Sequence, residues 1–259
     1  MRPLVVALLF STAALGQEIV ALKTREGVTQ SFFIADMGGR KPEAVALLFI
    51  GGGGNIRLRM EDGQIRFGDL NFLPRSRREF IRNGVLPVVM DAPSDQQSRA
   101  GMSHAFRMSE EQDADVRAVL AELKRRYPGL PVFLVGTSYG TLSAAYLGRD
   151  LGAETAGVVL TSSLFYLGRQ SVLAAFDFSS IKAPLLVVHH REDSCASTPY
   201  ENAARLGARY PLVSVKGGRP PESGACDPLA PHGYFGKEPE TVDAIAAWML
   251  GKPFAREIE

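Results

Sequence analysis

A serine stands between two glycines in the pentapeptide Gly-Thr-Ser-Tyr-Gly, residues 136–140 of a chain of 259 residues. This is the pattern G-x-S-x-G, in which the glycines let the backbone turn sharply from a strand into a helix and leave the serine hydroxyl exposed. A five-residue pattern also arises by chance, so its surroundings must support it. Here an apolar run, PVFLVG, leads into the motif and a run of small residues follows it. The pattern therefore predicts Ser138 as a nucleophile rather than as part of an ordinary tight turn.

A serine nucleophile needs a histidine that accepts its proton and a carboxylate that orients the histidine. Of the four histidines, His232 lies in the proline- and glycine-rich segment CDPLAPHGYFG, between the last strand-like run and the final helix. A loop at the carboxyl edge of a sheet can bring an imidazole to a distant serine, so we predict His232 as the base. His189 and His190 end an apolar run, where structural histidines are more common, and His104 lies in a loop or at a helix start.

The carboxylate is expected in the segment VVHHREDSCASTPY, just beyond an apolar run. We predict Asp193 for two reasons. A short side chain suits the end of a strand, and where a G-x-S-x-G serine is the nucleophile, the acid follows the serine and precedes the histidine along the chain, as in the order Ser138, Asp193, His232. Glu192 is the nearest alternative and Asp227 is a weaker one. Each of the three acids is also compatible with an ordinary solvated loop.

The elements that must position these residues follow an alternating pattern. Five runs are almost continuously apolar: AVALLFI (44–50), VLPVVMD (85–91), PVFLVG (131–136), AGVVLTS (156–162) and PLLVVHH (184–190). Such runs are typical of parallel strands covered on both faces. Segments with helical patterns separate most of them, and residues 18–36 resemble a hairpin. We predict one three-layer α/β domain over residues 17–259, with a mostly parallel sheet, an N-terminal antiparallel hairpin and helices on both faces.

The connection formed by residues 162–183 has two interpretations, a short cap over a pocket or an ordinary crossover helix. Its apolar residues could line an acyl pocket or pack in the core: Phe165, Tyr166, Leu173 and Phe176. Three arginines could attract an anionic substrate, although a solvated helix face also explains them: Arg75, Arg77 and Arg78.

Charge and composition limit the expected partners and compartment. The net charge is +1 and no block of like charge occurs, so neither nucleic acid nor an anionic membrane is an expected partner. The segment MRPLVVALLFSTAALGQE has a basic residue, an apolar stretch too short to span a bilayer, and small residues near its end. This pattern predicts a signal peptide over residues 1–16, and hence a periplasmic or secreted protein. Cys195 and Cys226 are then expected to form a disulfide.

Four motifs over residues 40–252 make the chain resemble the α/β-hydrolase family: FIGGGGN, VGTSYG, HHREDSC and PHGY. The resemblance implies an oxyanion hole, in which backbone N–H groups hold the negative oxygen of a reaction intermediate. One N–H would come from Tyr139 and the other from Gly52 or Gly53. The chain departs from the His-Gly-Gly motif of many esterases, because Ile50 stands in the position of the histidine. The cysteine bridge would tie the acid loop to the base loop.

These observations predict an exported serine hydrolase, resembling esterases and lipases, that opens an ester or related acyl bond of a small molecule through an acyl-enzyme on Ser138. Neither a metal nor an organic cofactor is required for this chemistry. Two alternatives stay open. A small serine peptidase of the aminopeptidase kind would use the same triad on amides, and a non-catalytic binding module would keep the fold without the reaction.

Overall fold

Within residues 16–68 and 70–259, which the computed structural model describes, nine strands form one twisted sheet. The strands of this sheet and of two separate short hairpins are, in chain order, β1 (Glu18–Arg25), β2 (Val28–Ile34), β3 (Ala44–Phe49), β4 (Arg59–Glu61), β5 (Gln64–Arg66), β6 (Val85–Met90), β7 (Val132–Thr137), β8 (Gly157–Thr161), β9 (Tyr166–Leu167), β10 (Gln170–Ser171), β11 (Leu185–His190), β12 (Leu212–Val215) and β13 (Glu257–Ile258). The helices are α1 (Phe72–Arg75), α2 (Arg77–Arg82), α3 (Glu110–Arg126), α4 (Gly140–Asp150), α5 (Tyr200–Leu206) and α6 (Glu238–Met249).

The main sheet has the strand order β1-β2-β6-β3-β7-β8-β11-β12-β13. The hairpin β1–β2 is antiparallel and β2 also pairs antiparallel with β6, whereas all other neighbours are parallel. Every residue of β3, β6, β7, β8 and β11 is buried, which is why these strands are continuously apolar in sequence. The predicted mostly parallel sheet with an antiparallel N-terminal hairpin is therefore confirmed.

Helices cover both faces of the sheet. Apolar residues of α3, α4 and α5 form one core with the strands, and apolar residues of α1, α2 and α6 form a second core on the opposite face. The longest helix, α3, begins after Ser109, whose hydroxyl accepts a hydrogen bond from the N–H of Gln112. Glutamates occupy its first turn and Lys124 begins a basic last turn, both of which suit the helix dipole.

Two departures from the sequence pattern involve very short elements. After α6 the chain returns to the sheet and adds β13, two residues long, in parallel beside β12. Residues 59–66 form the small hairpin β4–β5 in the connection between β3 and α1. Elements of two or three residues are too short to show a periodic pattern, and neither was predicted.

Residues 162–183 contain the two-residue strands β9 and β10 and two single 3₁₀ turns. Phe165 and Leu173 are buried in the core on the side of α4. Phe176 packs on the ring of Tyr146 in α4, with the ring centroids 4.9 Å apart. The hydroxyl of Tyr166 accepts a hydrogen bond from the side chain of Asn202 in α5. Apolar side chains of this connection therefore pack against the helices of the α4 face.

The predicted signal peptide lies outside the described residues, apart from Gly16. In the part of the chain that is described, no helix has the length and apolar character needed to cross a membrane.

Candidate active site

Ser138 occupies the sharp turn between β7 and α4. Its φ is +52°, in the left-handed region that non-glycine residues seldom adopt, and its side chain is half-buried. The backbone N–H of Ser138 donates to Thr161 O in the neighbouring strand β8, at 3.0 Å. A hydrogen bond to the sheet thus holds the strained turn in place, as the strand–turn–helix pattern requires.

The two glycines of the motif are required by close backbone contacts. A Cβ atom on Gly136 would lie 2.5 Å from the carbonyl oxygen of Gly140, and a Cβ on Gly140 would lie 2.1 Å from the carbonyl oxygen of Phe49. Both distances are far below a van der Waals contact, and both involve backbone atoms that cannot easily move. Helix α4 therefore starts in direct contact with the end of β3, which brings the turn beside the loop that follows β3.

Asp193 and His232 are in hydrogen-bond contact. Nδ1 of His232 lies 3.0 Å from Oδ2 of Asp193, whose carboxylate is fully buried. The carboxylate accepts two further hydrogen bonds, from the hydroxyl of Thr198 at 2.8 Å and from the backbone N–H of Cys195 at 3.0 Å. Three donors therefore compensate for the burial of the negative charge and fix the orientation of the carboxylate.

The backbone around His232 is held by a buried network below it. The Ser162 hydroxyl donates to His232 O at 2.8 Å. The Tyr234 hydroxyl donates to Val188 O and accepts from the N–H of Ser162, both at 2.9 Å. Burial raises the pKa of Tyr234, so its hydroxyl keeps its proton. Strands β8 and β11 thereby hold the loop that carries the imidazole.

Arg75 also holds the loop that carries His232. Its Nη2 donates to Gly233 O at 2.8 Å and lies 2.9 Å from a carboxylate oxygen of Glu238, at the start of α6. Arg77 lies over the ring of Phe67, 5.1 Å from its centroid. Arg75 is thus partly buried and engaged in anchoring the loop, rather than forming a solvated helix face.

Ser138 and His232 lie on the wall of one cavity of about 230 Å³. The lining residues are Ile50, Gly51, Gly52, Gly53, Gly54, Asn55, Asn71, Phe72, Thr137, Ser138, Cys226, Asp227, Pro228, His232 and Gly233. Among the described residues, no hydrogen bond joins the Ser138 hydroxyl to the imidazole. Such contacts are often long without substrate and shorten when substrate binds. The assignment of Ser138, Asp193 and His232 as a catalytic triad stays a prediction.

The glycine-rich loop packs directly on the serine turn. A Cβ atom on Gly51 would lie 3.0 Å from Cβ of Ser138, and the N–H of Gly54 closes the loop on Gly51 O at 3.3 Å. Within the described residues, the N–H groups of Tyr139, Gly52 and Gly53 donate to no protein acceptor. These N–H groups are the predicted oxyanion donors, and two of the three residues, Gly52 and Gly53, line the cavity.

Cys195 and Cys226 form a disulfide, as predicted, with a sequence separation of 31 residues. Cys195 follows Asp193 by two residues and donates its N–H to the carboxylate. Cys226 lies on the cavity wall, six residues before His232. The bridge therefore joins the loop of the acid to the loop of the imidazole.

The alternative histidines have structural contacts. Nε2 of His189 donates to Thr198 O at 2.8 Å and lies 3.6 Å from a carboxylate oxygen of Asp193. Burial lowers the pKa of His189 to about 4, so at pH 7 the ring is neutral and this short distance is not an ion pair. His190 donates to Gly217 O at 3.0 Å, and burial lowers the pKa of its ring. His104 is partly exposed and does not line the cavity.

The alternative acids also differ from Asp193. Glu192 is exposed and accepts from the N–H of Gly217 at 3.0 Å. Asp227 is exposed at the cavity wall and accepts from the N–H of Gly224 at 3.1 Å. Neither is hydrogen-bonded to His232. Among the described residues, no group of three histidines, cysteines or acids is arranged to hold a metal ion.

Sequence reasoning missed three residues that support the site. Thr198 follows Asp193 by five residues and is not part of a motif, and Tyr234 is the last residue of the motif PHGY. The third, Arg107, contacts the glycine-rich loop although it lies 55 residues away in sequence. Among these, only the spacing of Tyr234 from His232 offered a sequence signal.

The chain shows similarity to known hydrolases. Residues 97–216, slightly under half of the chain, match the model of a family described as serine aminopeptidase, S33. No curated protein matches the sequence.

Three solved structures are similar over almost their whole length. An alpha-beta serine hydrolase homologue from Coxiella burnetii has a TM-score of 0.60 and 12% identity, and covers 93% of this chain and 99% of its own. Est1E from Butyrivibrio proteoclasticus has a TM-score of 0.61 and 12% identity, covering 90% and 99%. The esterase domain of a Rhodothermus marinus protein has a TM-score of 0.58 and 15% identity, covering 92% and 99%. At these identities the similarity shows a common fold.

Proposed function

Because this chain has the α/β-hydrolase fold, we propose that it is a serine hydrolase that cleaves an ester or related acyl bond of a small molecule. One observation carries the proposal. A serine on a strained strand–turn–helix shares a cavity with an imidazole whose Nδ1 is hydrogen-bonded to a fully buried carboxylate. A binding module that only kept the fold would need none of these three groups in this arrangement.

The contacts support one role for each group in the proposed reaction. Because Nδ1 of His232 donates to Asp193, its Nε2 is the nitrogen that accepts the proton of Ser138. Ser138 Oγ attacks the carbonyl carbon, and the carbonyl oxygen becomes negative as the tetrahedral intermediate forms. The N–H groups of Tyr139 and of Gly52 or Gly53 donate to that oxygen, with about 3 kcal/mol of stabilisation per donor.

Collapse of the intermediate breaks the acyl–oxygen bond of the substrate. The imidazolium gives its proton to the leaving alcohol, and an acyl group remains bonded to Ser138. A water molecule then attacks the acyl carbon and gives a proton to His232. The acid leaves and the serine hydroxyl is restored, so neither a metal nor an organic cofactor takes part.

The cavity favours small substrates. Its volume of about 230 Å³ lies below the roughly 300–1,000 Å³ of pockets for drug-sized ligands. Glycines and polar side chains form much of its wall, and the larger apolar residues are Ile50 and Phe72. We therefore propose short acyl esters as substrates. The name of one structurally similar protein, the esterase domain from Rhodothermus marinus, agrees with this choice of bond.

A serine aminopeptidase is the second candidate, and the description of the matching family model favours it. The same triad can attack an amide, so the arrangement of the three residues is compatible with both reactions. Peptide amides must therefore be assayed beside esters. Export remains part of the proposal, supported by the sequence pattern of residues 1–16 and by the disulfide.

A fluorophosphonate probe and a substrate panel test the proposal. We expect the probe to modify Ser138, identified by mass spectrometry of the peptide, and Ser138→Ala to lose both labelling and hydrolysis. Ser163→Ala is the matched control, because this buried hydroxyl has no hydrogen-bond partner among the described residues. The panel contains short and long acyl esters, lactones and peptide amides. A folded wild-type protein that is not labelled at Ser138 would contradict the proposal.

A further inference from the structure

Arg107 is a buried cation without an acidic partner. Its side chain is fully buried, and no carboxylate of the described residues forms an ion pair with it. Desolvation lowers the pKa of Arg107 to about 10, so the guanidinium is still positively charged at pH 7. Burying an unpaired charge opposes folding unless other groups compensate for the lost hydration. Packing alone therefore does not account for the burial of this guanidinium, and its hydrogen-bond partners indicate what its role is.

Those contacts are with the glycine-rich loop and the serine turn. Nη2 donates to Gly52 O at 2.8 Å, and the guanidinium carbon lies 4.9 Å from the ring centroid of Tyr139. On the other side, Nη1 donates to the Ser143 hydroxyl at 3.0 Å, and this hydroxyl donates to the side chain of Gln112. The guanidinium is thus held between α4 and the two segments that carry the predicted oxyanion donors.

The bond to Gly52 O has a consequence for the next N–H group. Gly52 O and the N–H of Gly53 belong to one peptide, and no cis peptide occurs among the described residues. In a trans peptide the carbonyl and the N–H point in opposite directions. A carbonyl directed at the buried guanidinium therefore directs the Gly53 N–H away from it, and Gly53 lines the same cavity as Ser138.

The loop fits closely over this side chain. A Cβ atom on Gly54 would lie 2.8 Å from Nη2 of Arg107 and 2.1 Å from the end of the Met102 side chain. The N–H of Met102 also donates to Gly53 O at 2.8 Å. The two peptides on either side of Gly53 are therefore each fixed through their carbonyl oxygen. This explains physically why a glycine is needed at residue 54.

We propose that Arg107 is a positioning residue of the oxyanion hole, an inference that rests on the serine-hydrolase function proposed above. Its guanidinium fixes the Gly52–Gly53 peptide so that the N–H of Gly53, rather than that of Gly52, is the second oxyanion donor. A charge-assisted hydrogen bond at the carbonyl also polarises the peptide and strengthens its N–H as a donor. The positive charge lies behind both donors, where it stabilises the negative oxygen of the intermediate.

Substitutions of Arg107 separate this role from simple packing. Arg107→Met keeps an unbranched apolar stem and removes the charge, whereas Arg107→Lys keeps a charge. Arg126→Met is the matched control, because Arg126 is also largely buried but pairs with Glu18 and Glu122 at the far end of α3. Active sites are counted by fluorophosphonate titration, so that kcat refers to folded protein only.

We expect Arg107→Met to lower kcat for a short ester by about tenfold to a hundredfold with little change in KM, because a weakened donor acts on the transition state. Arg107→Lys should retain more activity than Arg107→Met. The sharpest readout compares an ester with its thionoester, in which sulfur replaces the carbonyl oxygen. Sulfur accepts hydrogen bonds weakly, so the preference for the oxygen ester should fall in Arg107→Met and stay unchanged in Arg126→Met.

A second readout does not depend on turnover. In ¹⁵N-labelled protein, the Gly53 amide resonance should shift in Arg107→Met more than the amide resonances of Gly51 and Gly54. An unchanged Gly53 resonance overturns the proposed contact. An unchanged kcat and an unchanged ester-to-thionoester ratio, with lowered thermal stability alone, show a packing role and overturn the proposal. If wild type is neither labelled nor active while Gly53 shifts, the contact stands and the hydrolase function is wrong.

Discussion

Removing the disulfide between Cys195 and Cys226 is expected to weaken the fold by a predictable amount. The perturbation is the double substitution Cys195→Ser and Cys226→Ser, which leaves two small polar side chains and no unpaired thiol. The bridge closes a loop of 31 residues. On the chain-entropy account, a loop of this length stabilises the folded state by about 3.7 kcal/mol, because the cross-link restricts the unfolded chain. That is a large fraction of the roughly 5–15 kcal/mol by which proteins are stable.

The same figure predicts a shift in melting temperature. Unfolding entropies of about 2.1 cal/mol/K per residue give roughly 0.5 kcal/mol/K for a chain of this size, so the double variant should melt about 7 °C below wild type. Urea unfolding followed by far-ultraviolet circular dichroism measures the free energy directly. Wild type treated with reductant should match the double variant, and reductant should not change the variant further.

Two results would refute this reasoning. A loss below about 1 kcal/mol would show that the unfolded chain is not restricted as the loop length implies. Equal sensitivity of wild type and variant to reductant would show that the reductant acts elsewhere.

Because the N–H of Cys195 donates to Asp193, kcat per folded molecule should also fall in the variant. Activity equal to that of wild type would mean that the acid loop keeps its geometry without the bridge.

Four further substitutions follow from individual contacts. Gly140→Ala places a Cβ atom 2.1 Å from a backbone oxygen. We expect this variant to lose more than about 3 kcal/mol of folding stability and to lose labelling by fluorophosphonate. A melting temperature equal to that of wild type would contradict this expectation. Tyr234→Phe removes the hydrogen bonds of this hydroxyl to the Ser162 N–H and to Val188 O, which stay paired with each other at 3.1 Å. The loss should therefore cost about 1–3 kcal/mol of stability in urea unfolding, and a cost near zero would argue against the network. In wild type the pKa of His189 is about 4 in the folded state and about 6.5 in the unfolded state. The unfolded chain therefore binds the proton first, and the free energy of unfolding falls by about 3 kcal/mol as the pH falls from 6.5 to 4. The variant His189→Gln should show a flatter dependence of this free energy on pH. Thr198→Val removes a donor from the carboxylate of Asp193 and should lower kcat about tenfold at constant KM, whereas unchanged kcat would leave Thr198 without a positioning role.

The five central strands could be predicted from sequence because burial on both faces leaves continuous apolar runs. The order of Ser138, Asp193 and His232 along the chain also follows, since each lies just beyond a strand or before the last helix. Strand β13 could not be predicted, because two residues carry no periodicity and its partner β12 lies about forty residues away.

Other features of the site could not be predicted from sequence, because they depend on contacts between distant segments. The loop has the same residue at four consecutive positions, so the sequence does not distinguish Gly52 from Gly53 as an oxyanion donor. The choice of Gly53 proposed above depends on the hydrogen bond from Arg107 to Gly52 O. The residue itself lies in FRMS, where nothing suggests a buried charge. Arg75 could be interpreted as a solvated side chain, because the Gly233 carbonyl it holds is more than 150 residues away. Hydrogen bonds of this kind are set by the folded geometry and not by local pattern.

On the function proposed above, the left-handed backbone at Ser138 makes activity and stability compete at a single position. Glycine adopts φ near +52° without strain, so a Ser138→Gly chain would relieve about 1 kcal/mol and be inert. Selection for stability without selection for turnover would therefore favour the loss of this hydroxyl. Stability screens of random libraries would enrich the same dead variants. An engineering programme on this scaffold should accordingly select for turnover at every round rather than for melting temperature alone.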